Sequence, residues 1–174
     1  NRSLQAANAR LNDLAHHDEL TGAFNRRHLM DELEHQLQLR RRHATEFSIA
    51  ILDIDRFKAI NDTYGHQVGD LVLNGLARLL DRDLRDIDVF GRWGGEEFLC
   101  ILPNTPLPEA LSFAERLRIE LENARLVDTY PDLVVTASFG VSHCLAGETI
   151  NALIKRADAA LYQAKAAGRN RVIG

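Results

Sequence analysis

Two carboxylates at the ends of apolar segments are the residues of this sequence best suited to chemistry. Asp53 closes the apolar run 46–53, and Glu96 follows the pair Gly94-Gly95 and precedes another apolar run. A carboxylate that ends a buried strand is hard to explain as part of a core, because burying an unpaired charge is costly. Two oxygen ligands beside a glycine turn suit Mg²⁺, which binds through one or two carboxylates plus substrate phosphates. Carboxylates are also common at the surface ends of strands, so the spacing alone leaves that simpler role open.

Three basic residues could neutralise the phosphates of such a substrate. Lys58 lies on the predicted helix after Asp53, and Lys165 and Arg169 lie at the end of the last predicted helix. Lys and Arg side chains that converge on a metal site would balance the charge of a triphosphate. Cations near a helix C-terminus also stabilise the helix itself. For Lys165 and Arg169, the sequence alone favours that structural role.

A mixed α/β fold must position these residues. Periodicity predicts helices over 25–42, 56–64, 67–84, 108–124 and 149–167, and strands over 46–53, 87–92, 96–102, 134–141 and within 169–173. The segments on either side of Trp93-Gly94-Gly95 predict a hairpin, in which the glycines supply the positive φ angles of a tight turn. The expected class is therefore α/β (α+β), a mixed sheet with an antiparallel hairpin surrounded by helices.

The N-terminal segment carries an apolar seam. Leu4, Ala7, Leu11 and Leu14 are spaced alternately by three and four residues, like the a and d positions of a coiled coil. Two heptads fit an ordinary amphipathic helix nearly as well. We expect residues 1–17 to be the end of an upstream signalling helix or coiled coil and 18–174 to be one folded domain. Because the chain begins without Met, we also expect it to be part of a longer protein.

Composition argues against several classes of protein. The length of 174 residues suits one domain, and 45% hydrophobic and 26% charged residues are ordinary for a globular protein. A net charge of −4 argues against a broad nucleic-acid or anionic-membrane surface, and no stretch has the length of a membrane span. Cys100 and Cys144 lie in apolar sequence, so we expect two buried, reduced thiols. We expect a cytoplasmic location, with any membrane anchor upstream.

A set of short motifs resembles a known family. Gly94-Gly-Glu-Glu-Phe98 resembles the signature of the GGDEF family, the diguanylate cyclases, in its Glu variant, and chance produces it in about 10⁻⁴ of chains this long. Other segments match the family's remaining blocks in order and spacing: Asp18-Glu-Leu-Thr-Gly22 with Asn25-Arg26-Arg27, Asp53-Ile-Asp-Arg-Phe-Lys58, Asn61-Asp62, Gly65-His66, Gly69-Asp70, Ser138-Phe-Gly140, Ala157-Asp158 to Leu161-Tyr162, Lys165 and Gly168-Arg169-Asn170. Ala23 departs from the pattern, because a larger apolar residue is usual there. The resemblance covers about residues 18–174 and implies a GGDEF-type catalytic domain.

The resemblance implies a role for each matched residue. Asp53, the Ile54 carbonyl and Glu96 would hold Mg²⁺, with Mn²⁺ as an alternative, and Glu96 would also assist deprotonation of a 3′-hydroxyl. Glu97 would be a second required acid without a clear individual role. Asn61 and Asp70 would recognise the guanine, and Lys58, Lys165 and Arg169 would neutralise the phosphates. Gly94 and Gly95 would let the hairpin backbone approach the nucleotide closely. His66 would lie near the nucleotide, although a structural role explains this histidine equally well.

The implied activity is the condensation of two GTP molecules into cyclic di-GMP with release of two pyrophosphates. The family's fold resembles the palm of adenylate cyclases and polymerases. Each domain would hold one GTP, so two domains must face each other across a two-fold axis. The upstream helix is then the expected homodimer contact, and the fragment itself needs no nucleic acid or membrane.

Arg85 and Asp88 form an Arg-x-x-Asp tetrapeptide, and five residues separate it from Gly94. Such tetrapeptides are common by chance, and a solvated charge pair at a turn would explain this one. Its offset, however, matches the product-binding inhibitory site of the family. Arg116 or Arg118, on the following helix, would then supply a partner arginine in trans.

Two other functions fit the sequence less well. A degenerate domain that binds GTP or cyclic di-GMP without catalysis would be favoured by a lost metal ligand or a broken Gly-Gly pair, and the sequence keeps both. A palm domain that polymerises nucleic acid would need a basic groove, which the negative net charge argues against.

Overall fold

A computed structural model describes residues 15–174. Along this part of the chain the elements are α1 (Arg26–His43), β1 (Phe47–Ile54), α2 (Phe57–Tyr64), α3 (His66–Asp83), β2 (Val89–Arg92), β3 (Glu97–Pro103), α4 (Leu107–Asn123), β4 (Ala137–His143), α5 (Ile150–Ala166) and β5 (Val172–Ile173). The predicted seam of Leu4, Ala7, Leu11 and Leu14 lies outside the described residues. The division at residues 17 and 18 therefore stays a prediction.

The strands form one mixed sheet in the order β2-β3-β1-β4-β5. β1 lies in the centre and is antiparallel to both β3 and β4. β2 pairs antiparallel with β3, and β5 pairs parallel with β4. The predicted α/β class, with an antiparallel hairpin and flanking helices, is confirmed.

Both faces of β1 are covered, which explains its continuous apolar sequence. Alternate side chains point to opposite faces, as the period of two in a strand requires. Ala50, Leu52 and Ile54 pack in the same cluster as the inner faces of α3 and α4. Ile49 and Ile51 pack with residues of α1 and α5 on the other face. The end of β1 is therefore fixed from both sides, which gives Asp53 a rigid position.

The strand predicted over 134–141 is shifted towards the C-terminus. β4 begins at Ala137, and Val134 is 64% exposed. The reason is register: Ala137 pairs with Ile54, which is the last residue of β1. Residues 134–136 have strand-forming sequence but no part of β1 opposite them.

The prediction of a tight turn at Gly94-Gly95 is wrong. Neither glycine has a positive φ, and residues 93–96 form a longer connection between β2 and β3. The Glu97 carbonyl closes this loop by accepting hydrogen bonds from Trp93 N and Gly94 N at 2.8 and 3.2 Å. A longer loop does not need the positive φ angles of a two-residue hairpin. Glu96 consequently belongs to the loop and not to β3.

Both cysteines are buried free thiols, as predicted. Cys100 belongs to the core cluster under α3 and α4, and Cys144 belongs to the cluster under α1 and α5. Among the described residues, none of the helices combines the length and the apolar composition needed to cross a membrane.

Candidate active site

A cleft of about 470 Å³ lies between α2, the start of α3 and the β2–β3 loop. Six residues that the sequence predicted for the site line this cleft: Lys58, Asn61, His66, Asp70, Gly95 and Glu96. The fold brings them together because α2 and α3 follow the end of β1 directly, while β3 pairs with β1 and brings the loop to the same end. The cleft therefore joins predicted site residues that are up to 38 positions apart in sequence.

Asp53 lies beside this cleft, at the end of β1. Burial raises the pKa of Asp53, the pairing with Lys165 opposes that shift, and the charge of Glu96 adds to it. The Glu96 backbone is fixed next to the strand end, because its carbonyl accepts a hydrogen bond from Ile54 N at 3.2 Å. Asp53, Ile54 and Glu96, the three predicted metal ligands, are therefore neighbours.

This donor set fits Mg²⁺. Within residues 15–174, no group of three or more His, Cys, Asp and Glu side chains is arranged to hold a metal ion. Two carboxylates and a carbonyl are an incomplete shell of hard oxygen donors, which is how Mg²⁺ binds when substrate phosphates complete its coordination. Asp53 and Glu96 with the Ile54 carbonyl would hold the ion.

Lys165 is brought to the acidic residues by α5. Its Nζ lies 2.9 Å from Asp53 Oδ2, and its side chain is 34% exposed. Arg169 lies four positions further on, in the turn after α5, with a φ of 65°. The sequence alone favoured a structural role for Lys165 at its helix end. In the structure, Lys165 instead contacts Asp53, a predicted metal ligand.

Glu97 is the first residue of β3 and lies directly opposite Asp53 in the strand register. Burial raises the pKa of Glu97, and the charges of Asp53 and Asp158 add to this shift. A Cβ on Gly94 would lie 2.8 Å from Glu97 Oε2. Gly94 thus leaves room for the Glu97 carboxylate, whereas a Cβ on Gly95 would meet nothing within 4 Å.

Asn61 carries an unpaired acceptor in the cleft. Among the described residues, its Oδ1 atom is buried and has no hydrogen-bond partner. A buried acceptor without a partner is costly, and the residue that bears it lines the cleft. Gly69 permits this placement, because a Cβ there would lie only 1.9 Å from Asn61 Oδ1.

The close contact at Gly69 leads to a testable expectation. Gly69→Ala must push the Asn61 side chain aside, so we expect the affinity for GTP, the substrate that the family resemblance implies, to fall about 10-fold, the scale of one hydrogen bond to a buried group. The thermal unfolding temperature should not fall, because alanine is the better helix former. Calorimetric titration with GTP measures the first effect. Gln67→Ala, an exposed change on the same helix, is the matched control, and equal GTP affinity in both variants would contradict the role of Asn61.

Sequence reasoning did not find Arg92, which lines the cleft. Its guanidinium donates two hydrogen bonds to the Gly95 carbonyl, at 3.0 and 2.7 Å, and Nη1 lies 3.3 Å from Asp18 Oδ1. Burial opposes ionisation of Asp18, but hydrogen bonds from Thr21 and the charge of Arg92 lower its pKa overall. Arg92 therefore ties the loop that bears Glu96 to the start of the domain. The only signal in the sequence was the match of Asp18 to a family motif.

A second groove, of about 370 Å³, contains the predicted inhibitory residues Arg85, Asp88 and Arg116. Arg85 Nη2 lies 2.7 Å from Asp88 Oδ1 and also donates to Thr105 Oγ1 at 2.8 Å. The side chain of Asp88 is only 2% exposed, whereas that of Arg85 is 52% exposed, so the carboxylate is buried and the guanidinium is half open to solvent. Arg116 lines the same groove of the same chain.

Arg118 does not line this groove, and its role as a partner of Arg85 from another domain stays a prediction. Its guanidinium is 15% exposed and bonds Glu115 and Glu122 on its own helix. It also donates to Asn170 Oδ1 at 2.8 Å. Residues at i+3 and i+4 share one helix face, and Arg118 is held on a different face of α4 from Arg116.

The family described as "Diguanylate cyclase, GGDEF domain" matches residues 15–171, and the chain belongs to this family. It is 45% identical over 163 residues to diguanylate cyclase DgcM of Escherichia coli strain K12, covering 94% of this chain and 39% of that protein. It is 44% identical over 165 residues to the response regulator PleD of Caulobacter vibrioides, covering 93% of this chain and 36% of that protein.

A solved structure is also similar. The coiled coil and GGDEF domain of DgcB from Caulobacter crescentus, in complex with c-di-GMP, superposes with a TM-score of 0.92 at 32% identity, covering 99% of this chain and 92% of that one. The chain spans 39% and 36% of the lengths of DgcM and PleD, so it corresponds to one part of such proteins.

Proposed function

We propose that this chain condenses two GTP molecules into cyclic di-GMP and releases two pyrophosphates. The observation that carries this proposal is the composition of one cleft. It combines the unpaired Asn61 acceptor and Asp70 with Glu96 and Lys58. Beside it lies Asp53, paired with Lys165. A site that joins nucleotides requires hydrogen-bond acceptors for the edge of a purine, and it requires basic residues and metal ligands for a charged triphosphate.

The polar residues of the cleft divide into base recognition and phosphate binding. Asp70 accepts hydrogen bonds from N1 and N2 of guanine, and Asn61 Oδ1 supplies a further acceptor. Adenine presents a mismatched edge to these groups, which favours GTP over ATP. Lys58, Lys165 and Arg169 neutralise the phosphates.

The reaction takes place twice. Each time, the 3′-hydroxyl oxygen of one GTP joins the α-phosphorus of the other and the bond from that phosphorus to pyrophosphate breaks, so the ring closes as the second pyrophosphate leaves. When bound, Mg²⁺ or Mn²⁺ would polarise the phosphate and stabilise charge on the entering and leaving oxygens. Glu96 assists removal of the 3′-hydroxyl proton. Each domain supplies one nucleotide, so two copies of the cleft must face each other across a two-fold axis.

Product identification tests this function. The purified chain is incubated with GTP and Mg²⁺, and the nucleotides are identified by mass spectrometry. We expect cyclic di-GMP and two pyrophosphates per product, and no comparable product from ATP. Binding of GTP without turnover at any protein concentration would instead support the degenerate binding domain.

We further propose that the groove at Arg85, Asp88 and Arg116 binds cyclic di-GMP and slows synthesis. Guanidinium groups can bond guanine acceptors or phosphate oxygens with two donors and can stack on a base. Two arginines beside Phe113 in one groove suit a ligand that has two guanines and two phosphates. Product clamped between two domains would hold their half-sites apart.

Arg85→Ala tests the product groove. We expect the affinity for cyclic di-GMP to fall at least about 10-fold, the scale of losing hydrogen bonds to a charged group, and synthesis to continue longer in a progress curve. The initial rate should stay near that of the original chain, because Arg85 lies outside the cleft. Asp88 keeps its hydrogen bond from the backbone N of residue 85, which supports the fold.

Arg42→Ala is the matched control, because Arg42 is an exposed arginine on α1 that does not line the groove. Calorimetry with cyclic di-GMP and continuous measurement of pyrophosphate release are the two readouts. Equal product affinity and equal inhibition in the Arg85 and Arg42 variants would return Arg85 to a purely structural role.

A further inference from the structure

The turn that carries Arg169 has an unfavourable backbone conformation. Arg169 and Asn170 both have positive φ angles, of 65° and 45°, and they follow Gly168 at 117°. Consecutive non-glycine residues in the left-handed region are costly and persist only where the surrounding structure holds them. Such a conformation points to contacts that hold the backbone of this turn in place.

Asp55 is the buried group that holds this turn. Its Oδ2 atom accepts a hydrogen bond from Asn170 N at 2.9 Å and another from Thr136 Oγ1 at 2.7 Å. Its Oδ1 atom accepts from Ser138 Oγ at 2.6 Å. Asp55 is only 6% exposed, so these hydrogen bonds are protected from water and are stronger for it.

The opposite side of the turn is fixed to α4. Asn170 Oδ1 accepts a hydrogen bond from Arg118 Nη1 at 2.8 Å, and Asn170 Nδ2 donates to Glu122 Oε1 at 3.0 Å. Asn170 is therefore held through its backbone by Asp55 and through its side chain by α4. The backbone of Arg169, one residue before it, is therefore held from both sides.

Asp55 lies two positions after Asp53, and the two carboxylates hold the same segment. Asp53 pairs with Lys165 at the end of α5, and Asp55 bonds the turn that follows. We propose that Asp55 is a positioning residue for the triphosphate. By accepting a hydrogen bond from the Asn170 amide, it directs Arg169 towards the phosphates at the predicted metal site of Asp53 and Glu96. This inference rests on the proposed function, because it assumes that Arg169 contacts GTP.

A double-mutant cycle tests the proposal. The ligand is α,β-methylene-GTP, which cannot release pyrophosphate, titrated by calorimetry with Mg²⁺ and compared with guanosine. Asp55→Asn should weaken the triphosphate about 10-fold, the scale of one hydrogen bond to a charged group, and leave guanosine affinity unchanged. Because Asp55 acts through Arg169, the double variant Asp55→Asn/Arg169→Ala should bind no more weakly than Arg169→Ala alone.

Ser138→Ala is the matched control. It removes a buried hydrogen bond from the other oxygen of Asp55 and leaves the Asn170 contact in place, so it should lower stability without changing triphosphate affinity. Arg118→Met loosens the turn from the α4 side and should weaken the triphosphate even if Asp55→Asn folds poorly. Additive losses in the cycle, or an equal loss of guanosine affinity, would overturn the proposal.

Hydrogen exchange of the Asn170 amide separates this inference from the proposed function. The exchange should be faster in Asp55→Asn than in the original chain, with or without nucleotide. If the original chain makes no cyclic di-GMP, the proposed function fails while the exchange and binding results still judge Asp55. Asp55→Ala removes every acceptor at this position, and unchanged exchange in both Asp55→Asn and Asp55→Ala would show that Asp55 does not hold the turn.

Discussion

Glu96→Gln should lower the turnover number at least about 100-fold, the scale of losing one group that stabilises the transition state. The change keeps the size of the side chain and removes the anionic oxygen that would bind the metal ion. Glu96 lies in the loop that lines the cleft, and the hydrogen bond from Ile54 N to its carbonyl does not involve the side chain. The loop and the fold should therefore persist, and the thermal unfolding temperature should stay near that of the original chain.

The rate of pyrophosphate release at saturating GTP and Mg²⁺ measures this effect. Glu34→Gln, an exposed change of the same kind on α1, is the matched control and should keep the original rate. A folded Glu96→Gln variant with a rate near that of the control would contradict both the metal assignment and the role of Glu96 in deprotonation.

The sequence predicts the architecture because local patterns follow the fold closely. The continuous apolar run that ends at Asp53 is visible without any structure, and so are the helical stripes of α1, α3 and α4. The order of these elements is enough to predict that Lys58, Asn61 and Glu96 belong to one region. Their convergence follows from the pairing of β1 with β3.

Contacts between distant segments could not be predicted. Arg92 and Asp18 are 74 positions apart, and nothing in either segment indicates the partner. The bonds of Asp55 to Thr136, Ser138 and Asn170 likewise depend on the register between β1 and β4, which periodicity does not fix. The predicted start of β4 at residue 134 is wrong for the same reason, because the observed start at Ala137 is set by where β1 ends.

Side-chain direction is a further limit of sequence reasoning. Arg116 and Arg118 are equivalent candidates in the sequence, because both are arginines on one helix. Only the structure shows that Arg118 is bonded to Asn170 while Arg116 lines the groove. The same holds for Gly94 and Gly95, whose glycine identity suggested a tight turn. At Gly94 the structure instead shows space occupied by the Glu97 carboxylate.

The Ser138-Phe-Gly140 motif shows how a match to a family acquires a physical reason. Gly140 lies in β4 where α5 crosses it, and a Cβ there would lie 2.0 Å from the Ala157 carbonyl oxygen and 2.4 Å from Leu161 N. Both atoms belong to the helix backbone, so no side chain can rotate to make room. The whole of α5 would have to move away from the sheet, and Lys165 would move with it from Asp53.

Gly140→Ala should therefore lower the free energy of unfolding by about 3 kcal/mol, at the upper end of the range for overpacked cores. Chemical denaturation measures this value, and Gly95→Ala is the matched control because a Cβ at residue 95 meets nothing within 4 Å. The activity of the folded fraction should fall as well, since the helix that delivers Lys165 no longer rests against β4. A free energy of unfolding within about 0.5 kcal/mol of the control, the range of ordinary surface changes, would show that α5 can shift freely. Close packing against Gly140 would then not be what places Lys165 at the site.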